Sequence, residues 1–338
     1  MSFNYRVKGG AGLEMIGVEN LKKTFALKSK VLGIQTGEVH AVNGINFGIR
    51  RGKTLGLVGE SGSGKSTTGR LILRLLEPTE GKVTLEGRDI SKISNREFRK
   101  MRKNIQMVFQ NPYSVLDYKM TIEDILIQPL HIHKIVTPLE YKKEVERLLE
   151  IVGLSKKDRK KFPHEFSGGQ RQRIGIARAL ATKPKFIVCD EPVSALDVSV
   201  QSQIINLLKD LQREYDLTYL FIAHGLNVIK HVSDEVAVMY LGKIVEIGEV
   251  EEIFQRPKHP YTMALMSASP VPDPEATRNR IQLKNEIPSA LNIPQGCSFH
   301  PRCPKAMEIC KKTEPPLEEY KTHEVACHLY RGEEAYHG

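Results

Sequence analysis

Short apolar runs broken by charged or glycine-bearing segments recur along the chain, and they alternate with stretches whose apolar residues fall on one helical face. Residues 13–18, 39–47, 54–58, 81–85, 105–109, 186–189, 218–223, 236–240 and 243–247 read as strands. They are four to nine residues long, rich in Val, Ile, Leu and Phe, and bounded by turn formers. Residues 68–76, 95–101, 141–151, 174–181, 200–215 and 249–255 read as helices. In 141–151 the apolar positions Val145, Leu148, Leu149 and Ile151 sit among charges at helical spacing. Buried strands alternating with helices predict an α/β fold built on a largely parallel sheet. Strand signals stop between residues 122 and 153, which predicts a helical insertion, and the pair around Leu241-Gly242 reads as a hairpin. Pro257, Pro260, Pro270, Pro272 and Pro274 then mark an extension.

One strand-to-helix junction carries the densest chemistry: Gly59-Glu60-Ser61-Gly62-Ser63-Gly64-Lys65-Ser66-Thr67. Glycines let the backbone curl so that successive N–H groups point inward, and a helix N-terminus behind them adds partial positive charge. Such a loop cradles phosphates; Lys65 would reach the β- and γ-phosphates and the Ser66 hydroxyl would ligate Mg²⁺.

Other strand ends deliver groups that suit the same chemistry, because ligands of open α/β sheets gather beyond the carboxyl ends of the strands. Asp190 and Glu191 end the run 186–189 as adjacent acids, one placed to coordinate Mg²⁺ and the other to take a proton from a water attacking the γ-phosphate. His224 follows strand 218–223 and Gln110 follows strand 105–109, positions from which they can orient that water or touch the metal. Ser167 is a natural N-cap, and Gly168, Gly169 and Gln170 leave backbone N–H groups at a helix start, a second anion site. With phosphates already held at Gly59–Thr67, the second site is expected to meet a nucleotide held by another chain. Phe25 can stack on an adenine ring or pack into the core, and Cys189 reads as a small core residue.

Composition narrows the setting. The 338 residues allow two compact units or a core with an appendage, and the net charge of +10 is compatible with nucleic acid, anionic lipid or a nucleotide. The basic clusters at 96–103 and 156–161 read as solvated faces. No apolar run approaches the roughly eighteen residues a membrane helix needs. Residues 1–12 carry no apolar signal segment, so a cytoplasmic location, with reduced cysteines, is expected.

Taken together the chain resembles an ABC-type ATPase. The phosphate loop at 59–67, a Q-loop at Gln110, a signature at Ser167-Gly168-Gly169-Gln170, a Walker B strand ending in Asp190-Glu191, a D-loop at Ser194-Ala195-Leu196-Asp197 and a switch His224 follow in that family's order. The resemblance implies a P-loop NTPase (RecA-like) core with an antiparallel β subdomain and an α-helical subdomain. It also implies MgATP as ligand, Phe25 as the adenine platform, and a head-to-tail dimer in which Ser167, Gly168, Gly169, Gln170 and Asp197 face the partner's nucleotide. The stretches Phe109-Gln110-Asn111-Pro112-Tyr113-Ser114, Glu191-Pro192-Val193-Ser194 and His259-Pro260-Tyr261-Thr262 are similar to those of the F-type ATP-binding subunit of oligopeptide and dipeptide importers. That implies a related D-type ATPase partner, two membrane permeases, indirect dependence on an extracytoplasmic peptide-binding protein, and a peripheral place on the inner face of the membrane. Phe166 replaces the leucine that usually opens the signature, and Asp117-Tyr118 stands where this importer type more often has Asn-Pro. The boundaries expected are a leader at 1–12, the nucleotide-binding domain at 13–255 with its helical subdomain at about 111–175, and an extension at 256–338. A soluble ABC ATPase acting on nucleic acid or ribosomes is the alternative, although such proteins usually fuse two cassettes. No nucleic-acid partner is expected. A P-loop kinase would leave the signature and His224 unexplained.

Four of the five cysteines, Cys297, Cys303, Cys310 and Cys327, lie in the extension. Four thiolates suit tetrahedral Zn²⁺ or an iron–sulfur cluster, and the close Cys pairs usual for zinc are absent. The resemblance to importer subunits, some of which carry a [4Fe–4S] cluster here, implies iron, with zinc or unmetallated thiols as the alternatives. Such a site is expected to pin an extension too poor in apolar residues to fold alone.

Overall fold

The computed structural model describes residues 14–28, 35–111, 113, 115–268, 281–283 and 285–331. The expected leader at 1–12 and the prolines 270, 272 and 274 lie outside these. Strands β1 (Glu14–Lys28) and β2 (Gln35–Arg50) form a long antiparallel hairpin that pairs Val18 with Phe47 and Phe25 with Val39. It runs well past the apolar runs because register shifts, such as that between Val18 and Leu21, carry the ladder on into charged residues. After β3 (Thr54–Val58) and α1 (Lys65–Ile72), the strands β4 (Glu80–Leu85) and β5 (Arg88–Asp89) complete a four-stranded antiparallel sheet in the order β2-β1-β4-β5.

Helix α2 (Asn95–Met101) leads to β6 (Ile105–Val108), the outer strand of the second sheet. The helical insertion follows as α3 (Ile122–Ile132), α4 (Tyr141–Ile151) and α5 (Gly168–Leu180). Thr121 caps α3 by accepting the Asp124 N–H, and Arg159 grips Glu123 through two hydrogen bonds of 2.8 and 2.7 Å, fixing the segment before α5 onto α3. The chain returns through β7 (Phe186–Asp190), α6 (Val198–Tyr215), β8 (Thr218–Ile222), α7 (Leu226–Val232), β9 (Glu235–Tyr240) and β10 (Lys243–Glu249).

Strands β9, β3, β8, β7 and β6 pair in parallel, in that order, and make up one side of an eight-stranded sheet. This sheet is buried on both faces, which is why its strands read as continuous apolar runs. Along β8, Tyr219 and Phe221 join the core shared with α3–α6, whereas Leu220 and Ile222 join the core under the antiparallel sheet with Met15, Phe47 and Phe98. Cys189 is fully buried in the core shared with α3–α6, and burial pushes its thiol far above the ordinary range. No helix among the described residues is long and apolar enough to cross a membrane.

Beyond α8 (Val250–Gln255), α9 (Pro260–Ser267) and α10 (Glu308–Lys312), the strands β11 (Glu318–Tyr320) and β12 (His323–Val325) add to the central sheet, with Val325 opposite Glu246 of β10. Phe299 is buried against Tyr240 and Tyr261, at centroid separations of 5.3 and 5.4 Å.

The expectation of a [4Fe–4S] or zinc site at Cys297, Cys303, Cys310 and Cys327 is corrected. Among the described residues no group of three or more His, Cys, Asp or Glu is placed to hold a metal ion, and all four cysteines are free. Burial raises the Cys297 thiol to about 11 and that of Cys327 to about 12. The extension is fastened by other means: the added strands, the Phe299 cluster, and a backbone bond from Cys297 N–H to the Cys310 carbonyl at 2.8 Å.

Candidate functional site

The carboxyl ends of four neighbouring parallel strands open on one edge of the central sheet: Gly59 follows β3, Gln110 follows β6, Glu191 follows β7 and His224 follows β8. The phosphate loop there requires glycine at two points. At Gly59 (φ +153°) an added Cβ would stand 2.1 Å from the Met239 carbonyl oxygen, and at Gly64 (φ +105°) it would stand 2.2 Å from that of Ala41. Gly64 is also the N-cap of α1 and supplies no side-chain cap, so the helix begins as an anion site. Ser61 and Gly62 are exposed, Ser63 is buried, and Thr67 is half-buried in the first turn.

Lys65 is only 4% exposed. Its Nζ donates to the carbonyls of Gly59 (2.8 Å) and Glu60 (2.9 Å), and burial lowers its pKa while Glu191, Asp190 and Glu60 oppose that shift. A buried ammonium resting on loop carbonyls exchanges these acceptors readily for phosphate oxygens, which are charged. The Ser66 hydroxyl donates to Asp190 Oδ1 at 2.8 Å, bringing together the two groups expected to share Mg²⁺. A hydroxyl and a buried carboxylate are hard oxygen donors of the type Mg²⁺ accepts, so the residues fit the ion.

Glu191 is the hub of the site. Its carboxylate lies 2.6 Å from His224 Nε2 through Oε1 and accepts the Gln110 amide at 2.7 Å through Oε2. Its backbone is in the left-handed region (φ +48°), anchored by its N–H to the Ile222 carbonyl at 3.0 Å. Ser194, the first residue of the D-loop stretch, joins this cluster. Its Oγ lies 3.3 Å from the Gln110 amide and donates to the Glu191 carbonyl at 3.2 Å, tying strand end to loop.

Phe25 is 37% exposed and therefore not a core residue. It faces Val39 across the hairpin, two positions from the Ala41 carbonyl that abuts Gly64, and Lys23 Nζ sits 5.1 Å from its ring centroid. The ring thus keeps a surface open for stacking, on the hairpin whose Ala41 approaches Gly64.

The signature residues lie elsewhere. Ser167 caps α5 by accepting the Gln170 N–H (3.3 Å), while its own N–H donates to the Gln170 side chain (3.0 Å). Gly169 packs against Val200, and α5 lies against β6, α3, α4 and α6, whereas α1 lies against β2, β7 and β8. The exposed cap at Ser167 thus belongs to a helix packed on a different set of elements from the helix that follows the phosphate loop. Asp197 caps α6 by accepting the Val200 N–H at 3.0 Å; hydrogen bonds from Ser199 and Val200 hold its carboxyl below the usual range.

Residues 42–194 match the family model of the ABC transporter, and residues 245–310 match that of the oligopeptide/dipeptide transporter, C-terminal region. The chain is 50% identical to the oligopeptide transport ATP-binding protein AppF of Bacillus subtilis, over 94% of this chain and 97% of that protein. It is 48% identical to a putative peptide import ATP-binding protein of Brucella abortus, over 93% and 97%. A solved ATP-binding cassette, dimeric in a post-hydrolysis state with ADP and Pi, superposes with a TM-score of 0.62 at 29% identity, covering 70% of this chain and 99% of that one. CbiO1 of Clostridium perfringens, part of an ABC transporter complex, gives the same TM-score at 28% identity, over 72% and 92%. With the loop, the acid pair and the strand-end histidine on one sheet edge and these relatives spanning nearly the whole chain, the protein belongs to the oligopeptide transport ATP-binding proteins of the ABC transporter family.

Proposed function

We propose that this chain hydrolyses ATP to drive import of oligopeptides or dipeptides, working on the inner face of the membrane beneath two permease subunits. The observation that carries the ATPase part is the convergence of Gln110 and His224 on Glu191, beside the Ser66–Asp190 pair. The peptide part rests on the likeness of residues 245–310 to the oligopeptide/dipeptide transporter C-terminal region and on the named relatives.

In this reading the Gly59–Gly64 backbone and the α1 N-terminus bind the β-phosphate, Lys65 leaves the Gly59 and Glu60 carbonyls for the β- and γ-oxygens, and Phe25 stacks on adenine. Mg²⁺, when bound, neutralises charge on the β- and γ-phosphates, and Ser66, Asp190 and Gln110 are the residues that hold it. Glu191 accepts the proton of the attacking water. His224 and Gln110, already on the two oxygens of that carboxylate, keep base and water in line. Ser167, Gly168, Gly169, Gln170 and Asp197 meet the nucleotide of a second, related cassette in a head-to-tail dimer, so closure needs both chains. A cleft of 530 Å³ lined by Leu75, Val115, Gln128 and Ile132 separates the core from the helical insertion beside Phe109, and is the surface assigned to the permeases. Selection of the peptide is left to the permeases and an extracytoplasmic binding protein.

The test is reconstitution of the chain with its partner cassette and permeases in proteoliposomes. Uptake of a labelled oligopeptide that needs ATP and fails with Glu191→Gln supports the assignment; steady ATP hydrolysis with no peptide uptake overturns the transport half.

A further inference from the structure

The C-terminal extension reaches the phosphate loop at Glu60 and holds that residue from two sides. The Glu60 carboxylate accepts both terminal nitrogens of Arg302, at 2.7 and 3.0 Å, and the Glu60 N–H donates to the Tyr261 hydroxyl at 2.8 Å. The third polar group of Glu60, its carbonyl, accepts Lys65 Nζ at 2.9 Å and the Ser63 N–H at 3.2 Å. The residue that tethers the extension is therefore also the one on which the phosphate-binding lysine rests.

Neither extension residue is a loose arm. Arg302 is 7% exposed, its guanidinium lies 5.9 Å from the Tyr240 ring centroid, and its N–H turns back onto the Phe299 carbonyl at 3.0 Å. Tyr261 is 1% exposed and packs on Tyr240 at 4.7 Å between centroids. A two-pronged guanidinium–carboxylate pair with its cation nearly desolvated fixes geometry as well as charge. When Lys65 turns to a nucleotide, Glu60 loses that contact, and its carboxylate and N–H remain on Arg302 and Tyr261.

We propose that Arg302 and Tyr261 are positioning residues of the nucleotide site: by holding Glu60 they keep the phosphate loop shaped for phosphates before nucleotide arrives. The extension is then part of the ATP site in cis. The inference rests on the ATP-binding reading of the loop. Preorganisation lowers the cost of binding without touching the reacting atoms, so its loss weakens affinity and leaves the chemical step alone.

The experiment is MgATP titration and steady-state ATPase on the full chain with Arg302→Ala, Arg302→Lys, Tyr261→Phe, Glu60→Ala and the Arg302→Ala/Glu60→Ala double variant, with thermal melting alongside. Arg302→Ala is expected to weaken MgATP binding roughly tenfold, a typical coupling between sites. kcat at saturating ATP stays within about twofold, and Arg302→Lys, which keeps charge but not the fork, falls between. The double variant binds no worse than Glu60→Ala, because both remove one interaction. Tyr261→Phe deletes a hydroxyl and keeps the ring, so it decides the matter if Arg302→Ala does not fold. Affinities unchanged in Tyr261→Phe and Arg302→Ala, additive losses in the double variant, or loss confined to kcat would overturn the proposal. A wild-type chain that binds no MgATP would overturn the nucleotide reading itself, a distinct result.

Discussion

The Glu191 carboxylate and His224 Nε2 lie 2.6 Å apart, a nearly buried acid (7% exposed) meeting a half-exposed histidine at the ends of adjacent parallel strands. Such a pair fixes the direction of the carboxylate, and with Gln110 on the other oxygen the acid has one orientation. His224→Ala is therefore expected to lower kcat by on the order of a hundredfold, the size of a misaligned general base, while the MgATP dissociation constant changes little. Single-turnover hydrolysis alongside nucleotide titration separates the two; a parallel loss of binding would assign His224 to the nucleotide instead.

The loop's glycines are not equivalent. Gly64→Ala forces a Cβ against the Ala41 carbonyl oxygen in a left-handed backbone, whereas a Cβ on Gly62 meets nothing within 4 Å. Strain of about 1–3 kcal/mol is expected for Gly64→Ala, with a lower melting temperature and lost MgATP binding. Gly62→Ala, strained only by its positive φ, should lose less of both, and equal losses would contradict the contact.

Acid should loosen the joint between core and extension. Burial holds His259 neutral, with its pKa lowered to about 4, and its Nδ1 accepts the Tyr261 N–H at 3.1 Å. Glu246, whose carboxylate accepts the His259 N–H and lies against His323, opposes the shift without reversing it. A pKa below the unfolded value means that the unfolded chain takes up more protons. Stability is therefore full above about pH 6.5 and falls as pH drops toward 4, by about 2 kcal/mol at pH 5 relative to pH 7. Urea unfolding at the two pH values measures this, and His259→Asn, which keeps an acceptor, should flatten the dependence.

The exposed cap of α5 gives a test of action in trans. Ser167→Glu places a charge where the partner's phosphate is proposed to sit, yet an acid at a helix start does not harm the helix. The variant should bind MgATP as the unaltered chain does and fail to form the ATP-dependent dimer with its partner cassette in size-exclusion chromatography with light scattering. Loss of binding within a single chain would place Ser167 in its own nucleotide site.

Much of the site was legible because each buried strand stops where its chemistry begins. The runs ending at Val58, Asp190 and Ile222 are buried along their whole length, and Gly59, Glu191 and His224 stand beside those ends. The hairpin of β1 and β2 was legible only in its apolar portions, since a ladder that continues through Lys22 and Lys23 gives no burial signal. β11 and β12 are three residues each, too short for an alternation to register, so the growth of the central sheet into the extension was invisible. The link from Glu60 to Arg302 spans 242 residues and leaves no local pattern. The four extension cysteines drew an expectation of metal that the grouping of their side chains contradicts. Their spacing reports that thiols are near one another in sequence, while burial of apolar rings and added strands supplies the fastening.

The central claim is that Glu191 is the base of an ATPase whose binding elements are separate from it, and one substitution tests it directly. Glu191→Gln keeps the shape of the side chain and removes its capacity to take a proton. The account predicts that MgATP binds with unchanged affinity while phosphate release under multiple turnover falls to background. Phosphate release at the rate of the unaltered chain would contradict it.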